Sequence, residues 1–409
     1  MASDPKSSGI RPARVLLVEI NEDGTVGGSH QCLYDLARRL DRTSFEPVVV
    51  FYENNRFVPL LRDERVTVHV WEAERRLERE RMFRGGVLGK INTLWKAIGA
   101  VARRLRLLRR EHVDLVHLNN SPCIGFDDWL PAARLLGVPI SSHARGPYVA
   151  PESSPARWLT RRFDAIVAIS RSIADNFIEA GISRSRVCQI YDGIDIERFG
   201  PRPPGERRIV REEEGVSDGA LVVILVGLIR FWKGQDVAVA ALRSLPPDER
   251  SRIRLWLVGE APASDKDYAG RVRRAVEEGG LQECVRFLGF RTDIPRLMGA
   301  ADVVLHASTL PEPFGLVVVE GLALGKTVIA SKLGGPAEVV REGEGFLFDP
   351  SRPDELASIL SGILRDPDGA NHFAVAGRQR ALDFDVRRNV DAVAGVWNEL
   401  LGRSGSLKS

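Results

Sequence analysis

Two acids, Glu312 and Glu320, are separated by seven residues in the stretch EPFGLVVVEGLALGKTVIAS. Three valines favour a strand by propensity, but glycines bound the periodic run, so we predict a helix from Gly315 to Leu324. Glu312 then lies in the loop before the helix, and Glu320 lies more than one turn inside it. Carboxylates accept hydrogen bonds from vicinal hydroxyls, and helix N-terminal N–H groups bind phosphate. The stretch therefore predicts a site for a ligand with hydroxyls at both ends and phosphates between them, as in a nucleotide-diphosphate sugar.

Three further loops that follow predicted strands carry residues suited to this ligand. Gly28 follows Gly27 before a predicted helix, where glycine lets a ligand approach the backbone, although the pair is also typical of a tight turn. Lys233, in a glycine-containing strand-to-helix loop, could meet a diphosphate or be a solvated charge. His143 ends a strand and could donate to a hydroxyl or be a structural histidine, while His117, within a strand, is the weaker candidate. The chain lacks G-x-G-x-x-G, which argues against a nicotinamide dinucleotide.

Alternating strands and helices must position these loops. Short β-branched runs begin at Arg14, Pro47, Val113, Val138, Phe163 and Arg186, and again at Ala220, Ile253, Val285, Ala301 and Lys326. Because helical patterns separate the runs, we predict an α/β protein whose parallel sheets are covered by helices. Ligands bind such sheets at the carboxyl ends of the strands, which is where the four loops lie.

The length of the chain indicates two domains. A chain of 409 residues is too long for one hydrophobic core. The segment ERFGPRPPGERR, residues 197–208, is rich in proline and charge and is typical of a linker. We therefore predict a first domain over 12–199 and a second over 209–386. The last predicted helix, 387–402, could complete the second domain or pack back on the first.

Composition argues against several classes of protein. The 58 basic and 55 acidic side chains give a formal net charge of only +3, which indicates no nucleic-acid partner. The longest apolar run, Leu221 to Ile229, is less than half of the roughly 20 residues of a membrane span. The N-terminus lacks the apolar core of a secretory signal. The four cysteines are scattered, at Cys32, Cys123, Cys188 and Cys284, so neither a zinc site nor a disulfide framework is indicated. Since no export signal is indicated either, we expect a cytoplasmic protein.

The chain resembles glycosyltransferase family four, a group of retaining enzymes whose two Rossmann-like domains face each other across a cleft in the GT-B fold. The resemblance runs from about Arg14 to Leu401, and EPFGLVVVE matches the Glu, seven residues, Glu signature of the family. Other blocks match in the expected order: VGGSHQCLYDLARRL, DLVHLNNS, SSHARG, AIVAISRSIADNFIEAGISRSRVCQIYDGIDIERF, KGQD, GGPAEVV and EGEGFLFDP. The resemblance implies transfer of a hexosyl unit from a nucleotide-diphosphate sugar to an acceptor hydroxyl, in bacterial polysaccharide, glycolipid or glycoside synthesis.

The resemblance also implies roles for residues of the second domain. Glu320 would hold the ribose hydroxyls and Glu312 the hydroxyls of the donor hexose. Lys233 would neutralise the diphosphate. That diphosphate would be cradled by the backbone amides of Phe314, Gly315 and Leu316.

In the first domain, Gly28 would let the backbone approach the reacting phosphate, and His143 would line the sugar pocket. The implied catalytic residues are then Glu312, His143 and Lys233. Such enzymes work without a metal or cofactor, since lysine, arginine and the helix dipole supply the charge. Retention is usually explained by front-face attack, in which the leaving phosphate takes the proton of the acceptor. The base of the donor stays open between UDP and GDP, with UDP preferred.

One departure from the family bears on the phosphate. Leu228 stands where the family often has arginine, and Arg230 follows two residues later. Arg230 could replace the missing donor, or Lys233 could suffice. A lost charge-assisted hydrogen bond costs about 1.5 to 3 kcal/mol. Two alternatives to glycosyl transfer also stay open, a GT-B sugar-nucleotide epimerase and an inactive nucleotide-sugar-binding module.

Residues 75–110 bear on the acceptor. Basic residues greatly outnumber acids there, and the apolar positions fall at helical spacing: Leu88, Ile91, Trp95, Ile98, Ala102 and Leu105. One interpretation is a peripheral contact with anionic lipid on the inner face of the membrane, suited to a lipid-linked rather than a free sugar acceptor. The other is that 98–108 is a core-packing helix whose arginines are merely solvated.

Overall fold

The computed structural model of the chain describes residues 11–20, 27–72, 87–120, 128–149, 155–217 and 219–402, of which 87–94 and 155–157 are described by backbone alone. The chain divides into two compact units. The first comprises Met1–Tyr191 together with Arg387–Ser409, and the second comprises Asp192–Val386. Across the described ranges, no helix combines the length and the apolar character that crossing a bilayer requires.

The first unit contains a parallel sheet with the strand order β3-β2-β1-β4-β5-β6-β7. Its strands are β1 Ala13–Glu19, β2 Phe45–Phe51, β3 Thr67–Val70, β4 Leu115–Asn119, β5 Ile140–Ala144, β6 Ala165–Ala168 and β7 Val187–Gln189. Its helices up to residue 191 are α1 Gly28–Arg39, α2 Phe57–Asp63, α3 Val87–Arg110, α4 Trp129–Leu136, α5 Pro155–Thr160 and α6 Arg171–Glu179, with a 3-10 turn at Arg184–Arg186. The central strands are buried almost throughout, as is typical of a sheet covered on both faces.

The second unit contains a parallel sheet with the strand order β10-β9-β8-β11-β12-β13. Its strands are β8 Leu221–Val226, β9 Ile253–Val258, β10 Val285–Gly289, β11 Val303–His306, β12 Thr327–Ser331 and β13 Phe346–Phe348. Its helices are α7 Glu206–Glu213, α8 Gln235–Ser244, α9 Pro247–Ser251, α10 Lys266–Glu278, α11 Ile294–Ala300, α12 Leu316–Ala323, α13 Pro336–Val339, α14 Pro353–Arg365 and α15 Pro367–Ala381, with 3-10 turns at Ala263–Asp265 and Leu382–Phe384. Both orders place the first strand of each unit third from one edge of its sheet, as in Rossmann-like folds.

The helix predicted between Glu312 and Thr327 is confirmed. It is α12, and Gly315 precedes it in a left-handed conformation at φ 90°. Every predicted strand is present, but β3 and β13 were not predicted. Residues 197–208, predicted as a linker between domains, instead lie within the second unit. Helix α7 begins inside this segment, at Glu206.

The last helix, α16, spans Val386–Leu400. The ring of its Trp397 lies 5.6 Å from that of Phe45 and 5.2 Å from that of His117. The Trp397 indole also donates to Nδ1 of His117 over 3.4 Å. The helix that closes the chain therefore packs on the sheet of the first unit.

The buried face of α3 contains Ala100, Leu107 and Leu108, as expected of a core-packing helix. It also contains Arg104, whose side chain is fully buried, so the prediction that the arginines of this helix are merely solvated is wrong for this residue. Its guanidinium lies over the aromatic rings of Tyr52, Trp71 and Trp129. It also donates a hydrogen bond to the phenol oxygen of Tyr52 over 3.2 Å. Cation–π contacts and the buried carboxylate of Asp128, 3.7 Å away, offset the cost of burying this charge.

Candidate active site

Glu312 lies in the loop between β11 and α12, and the Gly334–Gly335 pair fixes this loop. The Gly335 amide donates to the Glu312 carbonyl over 2.8 Å. Gly334 has φ 73°, and a Cβ there would lie 2.5 Å from the same carbonyl oxygen. A Cβ at Gly335 would lie 2.5 Å from Cα of Phe314. Only glycine allows this approach, so the pair sets where the carboxylate of Glu312 is presented.

Three side chains donate to the carboxylate of Glu312. Lys233 Nζ lies 2.9 Å from Oε1 and 2.8 Å from Oε2. His306 Nε2 and Ser308 Oγ each lie 2.7 Å from Oε2. An ionised carboxylate only accepts, so the hydrogen-bonded nitrogen of His306 carries a proton. The cluster therefore fixes both the position and the charge of Glu312.

The charge of Glu312 is maintained against partial burial. Its side chain is 15% exposed, and burial alone would raise its pKa. The nearby charges of His306 and Lys233 and their hydrogen bonds outweigh burial and hold the pKa of Glu312 far below its usual range. The carboxylate is therefore ionised throughout the physiological pH range.

Lys233 lies in the loop between β8 and α8, which packs tightly on the loop after β11. The intervening Gly234 has φ 72°, and a Cβ there would lie 1.9 Å from the Ala307 carbonyl oxygen. Thr309 also donates its amide to the Trp232 carbonyl over 2.8 Å. The Lys233 ammonium lies 4.3 Å from the centroid of the Trp232 indole, a cation–π contact. These backbone contacts bring Lys233 to Glu312.

Glu320 lies in the second turn of α12 and is partly exposed. Desolvation nonetheless raises the pKa of Glu320 to about 7. The positive charge of Arg198 counteracts this rise only in part. At the N-terminus of the same helix, Phe314 is buried and Gly315 precedes Leu316, so the predicted amides follow one another along the chain. The three amides thus lie at the start of the helix that carries the acid.

Arg230 lies in the Lys233 loop, beside Asp265. Its Nε is 3.9 Å from Oδ2 of Asp265, and the Arg230 side chain is 28% exposed. Asp265 also accepts from the Phe231 amide over 3.4 Å and from Ser264 over 2.7 Å. Asp265 is therefore buried and ties the loop to α10, while Leu228 is 40% exposed.

In the first unit, Gly28 is the exposed first residue of α1. His143 ends up fully buried in β5, with its ring 5.4 Å from that of His117. Burial, the charge of Arg145 and the neighbouring His117 lower the pKa of His143 well below its usual value. Its imidazole is therefore neutral at physiological pH.

A polar network at the carboxyl edge of the first sheet was not predicted. Asn119, at the end of β4, donates to the buried Glu19 over 2.6 Å and to the Ser29 carbonyl over 3.0 Å. Arg145, just after β5, donates to Oδ1 of Asn119 over 3.2 Å. The signal in the sequence was a polar residue at the end of each of these strands.

His306 and Ser308 were also missed in the second unit. The sequence VVLHAS contains the same signal that singled out His143, a polar residue at the carboxyl end of an apolar strand. In the part of the chain that the structure describes, no three His, Cys, Asp or Glu side chains form a group that could hold a metal ion.

Comparison with known proteins identifies the class. The model of the family "Glycosyltransferase Family 4" matches residues 26–198, and that of "Glycosyl transferases group 1" matches residues 206–380. The crystal structure of Anabaena Alr3699/HepE in complex with UDP is 29% identical, covers 94% of this chain and all of its own, and superposes with a TM-score of 0.77. The same protein in complex with UDP-glucose is 29% identical with a TM-score of 0.76, covering 94% of this chain and 99% of that one.

Curated relatives agree with the solved structures. D-inositol 3-phosphate glycosyltransferase of Salinispora arenicola is 27% identical over 98% of this chain and 94% of its own length. Alpha-maltose-1-phosphate synthase of Mycolicibacterium smegmatis is 31% identical over 54% of this chain and 59% of its own. The fold and the matched family models identify a GT-B glycosyltransferase. This chain belongs to glycosyltransferase family four.

Proposed function

We propose that this glycosyltransferase moves a hexosyl unit from a nucleotide-diphosphate sugar to an acceptor hydroxyl with retention of configuration. The single observation that carries the proposal is the cluster in which Lys233, His306 and Ser308 hold an ionised Glu312 directly before α12. A carboxylate held in this way can accept from hexose hydroxyls, and the ammonium beside it can neutralise a diphosphate. The complexes of Anabaena Alr3699/HepE with UDP and UDP-glucose support a uridine nucleotide as the first choice of donor.

In this proposal, Glu320 accepts from the ribose hydroxyls, and the amides of Phe314, Gly315 and Leu316 cradle the diphosphate. For the first unit, we propose from the family resemblance that Gly28 and His143 bind substrate. The oxygen of the acceptor bonds to the anomeric carbon on the face from which the phosphate departs. The bond from that carbon to the phosphate oxygen breaks, and the phosphate takes the acceptor proton. The products are a glycoside and a nucleoside diphosphate, and no side-chain base is required.

Product analysis tests the proposal. The protein is incubated with UDP-glucose, UDP-N-acetylglucosamine or GDP-mannose, with and without candidate acceptors that include D-inositol 3-phosphate. We expect an acceptor-dependent glycoside whose anomeric configuration, measured by NMR, equals that of the donor. A changed sugar on the nucleotide without an acceptor would indicate an epimerase. Donor binding without turnover would indicate a binding module.

We also propose that the acceptor is lipid-linked and that α3 contacts anionic lipid. Trp95 is 68% exposed and Ile98 50% exposed, and at 100° per residue both lie opposite the buried Ala100 and Arg104. The exposed basic residues of this helix include Lys96, Arg106 and Arg109. Exposed apolar side chains flanked by basic ones are typical of an interfacial helix. Residues 75–86, the rest of the basic segment, lie outside the described residues.

A further inference from the structure

The donors to Glu312 come from two different parts of the sheet. Lys233 belongs to the loop after β8, whereas His306 is the last residue of β11 and Ser308 follows two residues later. β11 lies between β8 and β12, so its end is held on both sides. His306 and Ser308 are therefore carried by a different strand from Lys233, although the loops that follow β8 and β11 pack against each other.

The burial of His306 indicates a dedicated contact. Its side chain is 2% exposed, and its Nε2 lies 2.7 Å from Oε2 of Glu312. Among the described residues, Nδ1 of His306 is buried without a hydrogen-bond partner. An apolar side chain would fill this site without leaving a polar atom unsatisfied, so packing alone does not explain a histidine here.

We propose that His306 is a positioning residue that, with Ser308, orients the Glu312 carboxylate toward the donor hexose independently of Lys233. The inference rests on the proposed function, in which Glu312 binds the hexose and Lys233 serves the diphosphate. His306 and Ser308 both donate to Oε2, whereas Oε1 accepts from Lys233 alone among the described residues. Oε1 is thus the oxygen with the spare lone pair for a sugar hydroxyl. The Lys233 ammonium can then turn to phosphate while Glu312 stays in place.

The test combines substitution with a double-mutant cycle. Release of nucleoside diphosphate from the sugar nucleotide that wild type uses fastest is measured for His306→Leu, His306→Gln, Glu312→Gln and the double variant His306→Leu/Glu312→Gln. We expect His306→Leu to lower turnover about ten-fold to one-hundred-fold, which is the range for a lost charge-assisted hydrogen bond. His306→Gln, which keeps a donor, should recover most of the rate. The double variant should be no slower than Glu312→Gln alone, because His306 acts through Glu312.

Binding of UDP separates positioning from a structural role. UDP lacks the hexose, so His306→Leu should bind it within about three-fold of wild type, and a thermal melt establishes folding. His372→Leu, an exposed histidine of α15, serves as the matched control and should keep the wild-type rate. Additive losses in the cycle, wild-type turnover in His306→Leu, or equal loss of UDP affinity and turnover would each overturn the inference. If wild type turns over no sugar nucleotide, that result contradicts the proposed function and therefore also this inference.

Discussion

Lys233 donates to both oxygens of Glu312 across 79 residues of sequence, with distances of 2.9 and 2.8 Å. The two side chains are 17% and 15% exposed, so either charge alone would be poorly solvated. Lys233 therefore stabilises the charged state of Glu312. A cation and an anion that share one site can serve a phosphate and a sugar that are adjacent in one substrate.

Substitution of Glu320 and of Glu312 should have different effects on UDP binding and on turnover. Glu320→Ala should weaken UDP binding about ten-fold or more, because ribose is common to donor and product. Glu312→Ala should depress turnover more than it depresses UDP binding, because UDP has no hexose. Calorimetric titration with UDP and a turnover assay measure the two effects. UDP affinity equal to wild type in Glu320→Ala would remove the ribose assignment.

The raised pKa of Glu320 predicts a pH-dependent effect on stability. A carboxyl whose folded pKa of about 7 exceeds its unfolded value near 4.5 contributes stability below the unfolded value and loses it as pH rises through the folded value. Glu320→Gln stays neutral and avoids this loss. We therefore expect a higher melting temperature than wild type at pH 8.5 and a difference that shrinks toward pH 5. A constant difference across that range would contradict the prediction.

Arg230 should contribute to the phosphate site that Leu228 leaves without a charge. We expect Arg230→Ala to reduce turnover about ten-fold and Lys233→Ala to reduce it further, since a guanidinium can bind two phosphate oxygens. Turnover should be compared with several sugar nucleotides, so that weaker phosphate binding is not mistaken for the use of an unsuitable donor. A wild-type rate in Arg230→Ala with Lys233→Ala crippled would confine the phosphate role to the lysine.

Gly334 should tolerate no side chain, and Gly343 provides the matched control. Both have positive φ, 73° and 82°, but a Cβ at Gly343 meets nothing within 4 Å. Gly343→Ala should therefore cost only the left-handed strain of about 1 to 2 kcal/mol. Gly334→Ala should cost more and slow turnover, because the loop of Glu312 must shift. Urea denaturation and a turnover assay on both variants measure this, and equal losses would refute the packing argument.

The exposed face of α3 should bind anionic vesicles. Trp95→Ser/Ile98→Ser should reduce co-sedimentation with phosphatidylglycerol vesicles several-fold, because two interfacial anchors are lost. Leu135→Ser on α4 is a control of similar exposure, at 70%, and should bind like wild type. Salt should weaken the binding of wild type. No co-sedimentation of wild type at low salt would exclude the contact.

The sequence was sufficient to predict the strands that form the middle of each sheet, because long apolar runs between turn signals have one stable arrangement. β3 and β13, edge strands of four and three residues, were not predicted. The α12 helix was predictable only because glycines bounded its valines.

The partners of side chains were harder to predict than their positions. Lys233, Glu312 and Glu320 stood out by residue type and loop position. The link from Lys233 to Glu312 depends on the close approach of Gly234 to Ala307, which no local pattern encodes. Arg104 was misjudged because helical spacing cannot show that aromatic rings from three other segments enclose it.

The hydrogen bond from Trp397 to His117 joins residues that are 280 positions apart. During synthesis on the ribosome, all of Asp192–Val386 emerges before this tryptophan does. The second unit can thus acquire its full set of internal contacts while the first, although made earlier, still lacks its last helix. The unit that begins earlier along this chain therefore acquires its last helix after the other unit has been made.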